Sequence, residues 1–188
     1  MGPHEKRAVS PIMFQLPPKT LASLSPDVFR IAIFDVTPCN KAWEWDFGLV
    51  YNYYNFDVMR AFLSDTLRAA ESLERKGGCK VVVELKHKRS HMPIHDPSYV
   101  RFVAELADQL PQLSLTDPKV NIFEMIRRAE VSISIPYSSP VYIASALNRP
   151  GIFYDSTSDL VPFFDRAPTV ELCSGRQELQ ERLSTLMS

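Results

Sequence analysis

Two apolar rhythms alternate along the chain. Short continuous apolar runs recur at Phe29–Val36, Lys80–Leu85, Val131–Ile135 and Gly151–Tyr154. Runs of this length suit strands buried on both faces of a parallel sheet. Leu113–Leu115 and Thr169–Cys173 are shorter candidates of the same kind. Between these runs the apolar spacing changes to three and four residues. Met59, Phe62, Leu63, Thr66, Leu67, Ala70 and Leu73 form one stripe of an amphipathic helix that Gly77-Gly78 ends. Val100, Phe102, Val103, Leu106 and Leu110 face inward from a helix over Ser98–Leu110, and Leu179, Leu183 and Leu186 do so from a closing helix over Arg176–Leu186. Ile122–Ala129 and Ser139–Leu147 read as short helices and Leu160–Phe164 as a helical turn.

Strands and helices alternating at this spacing predict right-handed βαβ units. The expected fold class is α/β, a Rossmann-like three-layer sandwich with a mostly parallel sheet of about six strands. Residues 1–27 are proline-rich and aperiodic and read as a lead-in or linker, which leaves 28–188 as the domain. In open α/β sheets ligands bind beyond the carboxyl ends of the strands. That rule selects Asp35 and the loop after it, Lys86 to Arg89, Tyr137 to Ser139, and Tyr154-Asp155.

Composition narrows the chemistry. With 21 basic and 22 acidic residues the net charge is −1, so no global field attracts DNA, RNA or an anionic membrane, and nucleic acid is not an expected partner. Anion binding must then come from a local cluster. Fifteen prolines against six glycines, with no GxGxxG or GxxxxGK[ST] pattern, argue against a glycine-rich phosphate loop. Three widely spaced cysteines (Cys39, Cys79, Cys173) and no CxxC or HExxH pattern make no metal site expected. His91 and His95 share a loop interrupted by Pro93, which disfavours the helical pairing a metal would use. No signal peptide and no stretch near the ~20 apolar residues of a membrane span is present, so the expected location is cytoplasmic, with peripheral membrane association left open.

The strand exits carry the candidate site. Ser138 and Ser139 open a helix at the end of a strand, where unpaired N–H groups and the helix dipole favour an anion. Lys86, Lys88 and Arg89, with His87 among them, concentrate positive charge at another exit. Asp35 suits either a general base or a turn cap. Asp155 suits a ribose hydroxyl and Tyr154 a base, although a strand aromatic ordinarily packs inward. Trp43 and Trp45, with Tyr51, Tyr53 and Tyr54 nearby, suit an interface. No Ser-His-Asp or Cys-His nucleophile arrangement can be argued.

The succession KHKR and then IFEMIRRAEVSISIPYSSPVYIASALNRPGIFYD resembles the C-terminal half of bacterial surface-polysaccharide glycosyltransferases with the GT-B fold. It looks closest to the Kdo- and sialyltransferase-like group that uses CMP-activated acidic sugars. The likeness covers roughly residues 29 to 165 and is strongest from Ile122 to Asp155. It implies a single GT-B half-domain in which Lys86, Lys88, Arg89, Ser138 and Ser139 meet the donor phosphate, with Tyr154 and Asp155 near the nucleotide or sugar. It implies a nucleotide-sugar donor, with a CMP-sugar the expected one, and no cofactor. An N-terminal acceptor domain or a partner chain would be needed for turnover. The chain departs from the sialyltransferase-like pattern where Lys88 follows His87 in place of proline, which leaves the nucleotide open. Two other readings remain: a non-catalytic sugar-nucleotide-binding or assembly subunit, and half of a sugar-nucleotide epimerase-like enzyme.

Overall fold

A computed structural model of the chain describes residues 27–41, 55–86, 93–160 and 169–188. The elements run β1 (Val28–Phe34), α1 (Phe56–Gly77), β2 (Lys80–Leu85), α2 (Pro97–Gln109), β3 (Leu113–Leu115), α3 (Ile122–Arg127), β4 (Val131–Ser134), α4 (Ser139–Ala146), β5 (Gly151–Asp155), β6 (Val170–Ser174) and α5 (Gly175–Met187). The six strands form one sheet in the order β3-β2-β1-β4-β5-β6. Every pairing is parallel. This is the doubly wound Rossmann order, with its switch point between β1 and β4, where the strand order reverses direction.

Alternation along the strands divides the core between the two faces. Ile31, Ile33, Val81, Val83, Val131, Ile133 and Tyr154 pack with α1, Tyr99 of α2, and Leu179 and Leu183 of α5. On the opposite face Ala32 and Phe34 pack with Met125 and Ile126 of α3 and with Ile143 and Ala144 of α4. That face also holds Glu84, which is buried and accepts from Arg128 Nε at 2.9 Å with Arg30 at 3.5 Å. A buried carboxylate is tolerated when guanidinium groups satisfy it in this way.

Helix ends follow local chemistry. The Asn55 side chain accepts from Asp57 N–H at 2.8 Å to start α1, and Gly78 ends it at φ 67. Asp96 caps α2 through Ser98 N–H at 2.8 Å, with Pro97 directly after it. The stripe of α2 begins at Tyr99, which is buried, rather than at Val100. Tyr99 stands three and four residues before Phe102 and Val103, so it continues their spacing while Val100 does not. The expected lead-in at 1–27 (apart from its last residue), the aromatic segment around Trp43 and Trp45, and most of the turn at Leu160–Phe164 lie outside the described residues.

Candidate functional site

Register brings the strand exits to one level. Phe34 stands opposite Ser134 and Ile33 opposite Leu85. Asp35, Lys86 and the Ile135-Pro136-Tyr137 segment therefore leave the same edge of the sheet. The exits of β2 and β4 lie either side of β1, two strand spacings or about 10 Å apart. Asp35, directly at the switch point, is oriented from below: Tyr99 donates its hydroxyl to Asp35 Oδ2 at 2.7 Å. Burial, with the neighbouring Asp35 charge and this hydrogen bond, pushes the Tyr99 phenol far above its ordinary range, so the tyrosine stays a donor. The loops after β1 and β2 are tied together above this point. Cys39 and His95 form an antiparallel bridge, and Asn40 N–H donates to Ile94 O at 2.7 Å.

The start of α4 is the most distinctive feature of the edge. Ser138 is the N-cap residue by backbone conformation (φ −93, ψ 151), yet its side chain makes no capping hydrogen bond. Its hydroxyl turns back toward the strand instead, 2.7 Å from Ser134 Oγ and donating to Ile135 O at 2.8 Å. The first turn of α4 thus begins without its usual side-chain acceptor. Pro140 supplies no N–H, so the donors there are those of Ser139 and Val141. Ser139, at the first helical position, is exposed. The two serines therefore differ: Ser138 locks the turn, and Ser139 presents a hydroxyl and an N–H at the positive end of the helix dipole.

The remaining predicted residues fall into distinct places. Lys86 donates from Nζ to Val120 O at 2.7 Å and to Pro118 O at 3.4 Å, which fastens the loop leading into α3. Lys88 and Arg89, together with His87 and His91, lie outside the described residues. Tyr154 is fully buried, tilted against Phe62 with centroids 5.7 Å apart, and donates to Asp65 Oδ2 at 2.9 Å. Asp155 is also fully buried. Its Oδ1 accepts from Thr157 N–H and Thr157 Oγ1 at 2.9 and 2.6 Å, and its Oδ2 from Leu160 N–H at 2.9 Å. A nucleotide cannot stack on Tyr154 where it stands, and the Asp155 carboxylate organises the loop after β5 rather than facing a ribose. Tyr154 and Asp155, the expected contacts of base and ribose, are thus buried as residues on a strand covered from both sides ordinarily are.

Sequence reasoning missed the Asp35–Tyr99 pair and the conformation of Tyr137. The first had a signal in the helical spacing of Tyr99. The second had none, because nothing in the composition around Tyr137 announces its positive φ of 62. Among the described residues no group of His, Cys, Asp and Glu could hold a metal ion, and no helix is long and apolar enough to cross a membrane.

A family model described as "Polysaccharide biosynthesis PFTS motif protein" matches residues 2–183. No curated protein matches the sequence. Among solved structures the chain is similar to the wall teichoic acid polymerase TagF in a form soaked with CDPG, at 15% identity and a TM-score of 0.47. That match covers 87% of this chain and 33% of the other, so the chain spans about a third of that structure's length.

Proposed function

The chain belongs to the polysaccharide biosynthesis PFTS motif protein family, and from that membership and the uncapped start of α4 we propose that it is the donor-binding domain of a glycosyltransferase of surface-polysaccharide synthesis. The tetrapeptide Pro136-Tyr137-Ser138-Ser139 is the one place in the sequence where proline is followed by an aromatic residue, a hydroxyl residue and serine. We take it as this chain's form of the motif that the family's name spells. It occupies the turn between β4 and α4, beside the switch point. The observation that carries the reading is the inward turn of Ser138, which keeps a helix start at a ligand-binding edge open to an anion.

In this reading the donor is a nucleotide-sugar, with a CMP-activated acidic sugar the specific proposal on the strength of the sequence resemblance. Its phosphate sits at Ser139 and the first-turn N–H groups of α4, with Lys88 and Arg89 supplying positive charge from the exit of β2. Tyr154 and Asp155 act as supports of the edge. As the glycosidic bond to the donor breaks, negative charge grows on the departing nucleotide phosphate. Fixed donors aimed at that phosphate lower the barrier because they need no reorganisation. The half that binds the acceptor is a second GT-B domain or a partner chain, and the reaction takes place in the cytoplasm, at the membrane surface if the acceptor is lipid-borne.

Calorimetric titration with CMP, UDP and GDP tests this. Binding of one nucleotide, weakened about tenfold or more by Ser139→Ala and by Lys88→Ala, supports the site. No binding by any of them, or binding unmoved by both substitutions, overturns it.

A further inference from the structure

Tyr137 is the only exposed large hydrophobic side chain among the described residues, at 48%. Its φ of 62 places it in the left-handed region, which a bulky aromatic enters at a cost. Of the two other described non-glycine residues with positive φ, Asn148 directly follows the C-cap residue Leu147, where asparagine commonly takes this conformation. Ser158 is a small residue in the turn that Asp155 organises. Tyr137 fits neither case.

The ring is nevertheless held. Its centroid lies 6.2 Å from that of Phe153 at 38°. Phe153 is fully buried and meets Tyr142 of α4 edge-on at 5.3 Å and 71°. A fixed aromatic base thus supports Tyr137 from inside the fold while about half of the residue faces outward. Single exposed aromatics are common and need no explanation. One that is strained, backed by a buried ring and placed two residues before an open helix start does need one. Two residues of chain span at most about 7 Å, so the Tyr137 backbone, from which the ring projects, lies beside the donors of Ser139.

We propose that Tyr137 is a stacking platform for the nucleobase of the donor, whose phosphate sits at the start of α4. This rests on the donor-binding reading above. A flat base gives an aromatic ring more contact than a puckered sugar does, and stacking accepts any base because each has a π face. Tyr137 therefore contributes affinity for the nucleotide, while the choice among bases is made by other groups.

The test compares CMP, UMP and GMP with ribose 5-phosphate and inorganic phosphate, titrated into the full chain. The parent is expected to bind its best nucleotide on the order of tenfold or more tighter than ribose 5-phosphate. Tyr137→Gly removes that margin and leaves ribose 5-phosphate affinity in place, whereas Tyr137→Phe keeps the margin. Tyr137→Gly also melts close to the parent, because the lost Phe153 contact is offset by a φ of 62 that glycine takes without strain. Equal affinity of the parent for nucleotide and ribose 5-phosphate overturns the platform. So does an equal loss of both ligands in Tyr137→Gly, or a marked fall in its melting temperature, which would make the ring a structural prop. Failure of all five compounds to bind the parent overturns the donor site itself, which is a different result from the loss of the nucleobase margin alone.

Discussion

Adjacent serines at positions 138 and 139 have the same hydroxyl and opposite tasks. Ser138 satisfies Ser134 and Ile135 within the turn, so Ser138→Ala leaves buried partners short of a bond and lowers stability by about 1 kcal/mol. Ser139 is exposed, and Ser139→Ala is expected to change stability by less than ~0.5 kcal/mol while weakening nucleotide binding. Thermal melts and titrations of the two variants separate these roles, and equal destabilisation by both would contradict the assignment. A second residue-scale expectation concerns Cys173. Burial, followed by the nearby Glu171 and Glu178 charges, pushes its thiol up to about 12. Near neutral pH the folded chain should then be alkylated at the half-exposed Cys79 long before Cys173, and mass mapping of the modified sites checks this.

At the scale of elements, the position of α4 depends on a close approach to β5. A Cβ at Gly151 would stand 2.8 Å from Val141 Cγ1 and 3.0 Å from Val141 O. The second contact is with backbone, so Gly151→Ala must push α4 off the sheet rather than rotate a side chain away. The expected cost is about 1–3 kcal/mol, together with weaker nucleotide binding, since the first turn of α4 moves with the helix. A melt unchanged in Gly151→Ala would show that the approach is softer than its geometry. The elements themselves were largely legible from spacing, because a stripe such as Met59 to Leu73 has one helical reading and a run such as Val131 to Ile135 has few alternatives. Directions of individual side chains were not legible in the same way. The outward or inward sense of Tyr154, Asp155 and Lys86 depends on which helix covers each face and on which carbonyls a loop presents. The inward turn of Ser138 depends on Ser134, four residues earlier, being buried beneath it.

For the whole molecule, the parallel sheet and the common edge of its strand exits followed from the βαβ alternation, and the strand order adds that Asp35 and the Ser138 turn flank the switch point. Stability of the assembled fold should fall in alkali. The Tyr99 and Tyr154 phenols are raised first by burial and then by Asp35 and Asp65 respectively. Each folded value lies above the ordinary one of about 10, so each contribution is intact below about pH 10 and is lost as pH climbs from there toward the folded value. Denaturant titrations at about pH 8 and pH 11 should show this loss, reduced in Tyr99→Phe.

The central pairing of Ile31 with Val131 joins residues a hundred positions apart. While the chain is being synthesised, β1, β2 and β3 are available to pair with one another before β4 has left the ribosome. During that interval β1 presents an apolar strand with one side unzipped, a template for another copy of the same nascent segment. Closure across so long a loop is slow compared with local helix formation. Yield in cells should therefore respond to translation speed and temperature between codons 85 and 131, and the edge that carries the Ser138 turn beside Asp35 comes into being only when that closure is made.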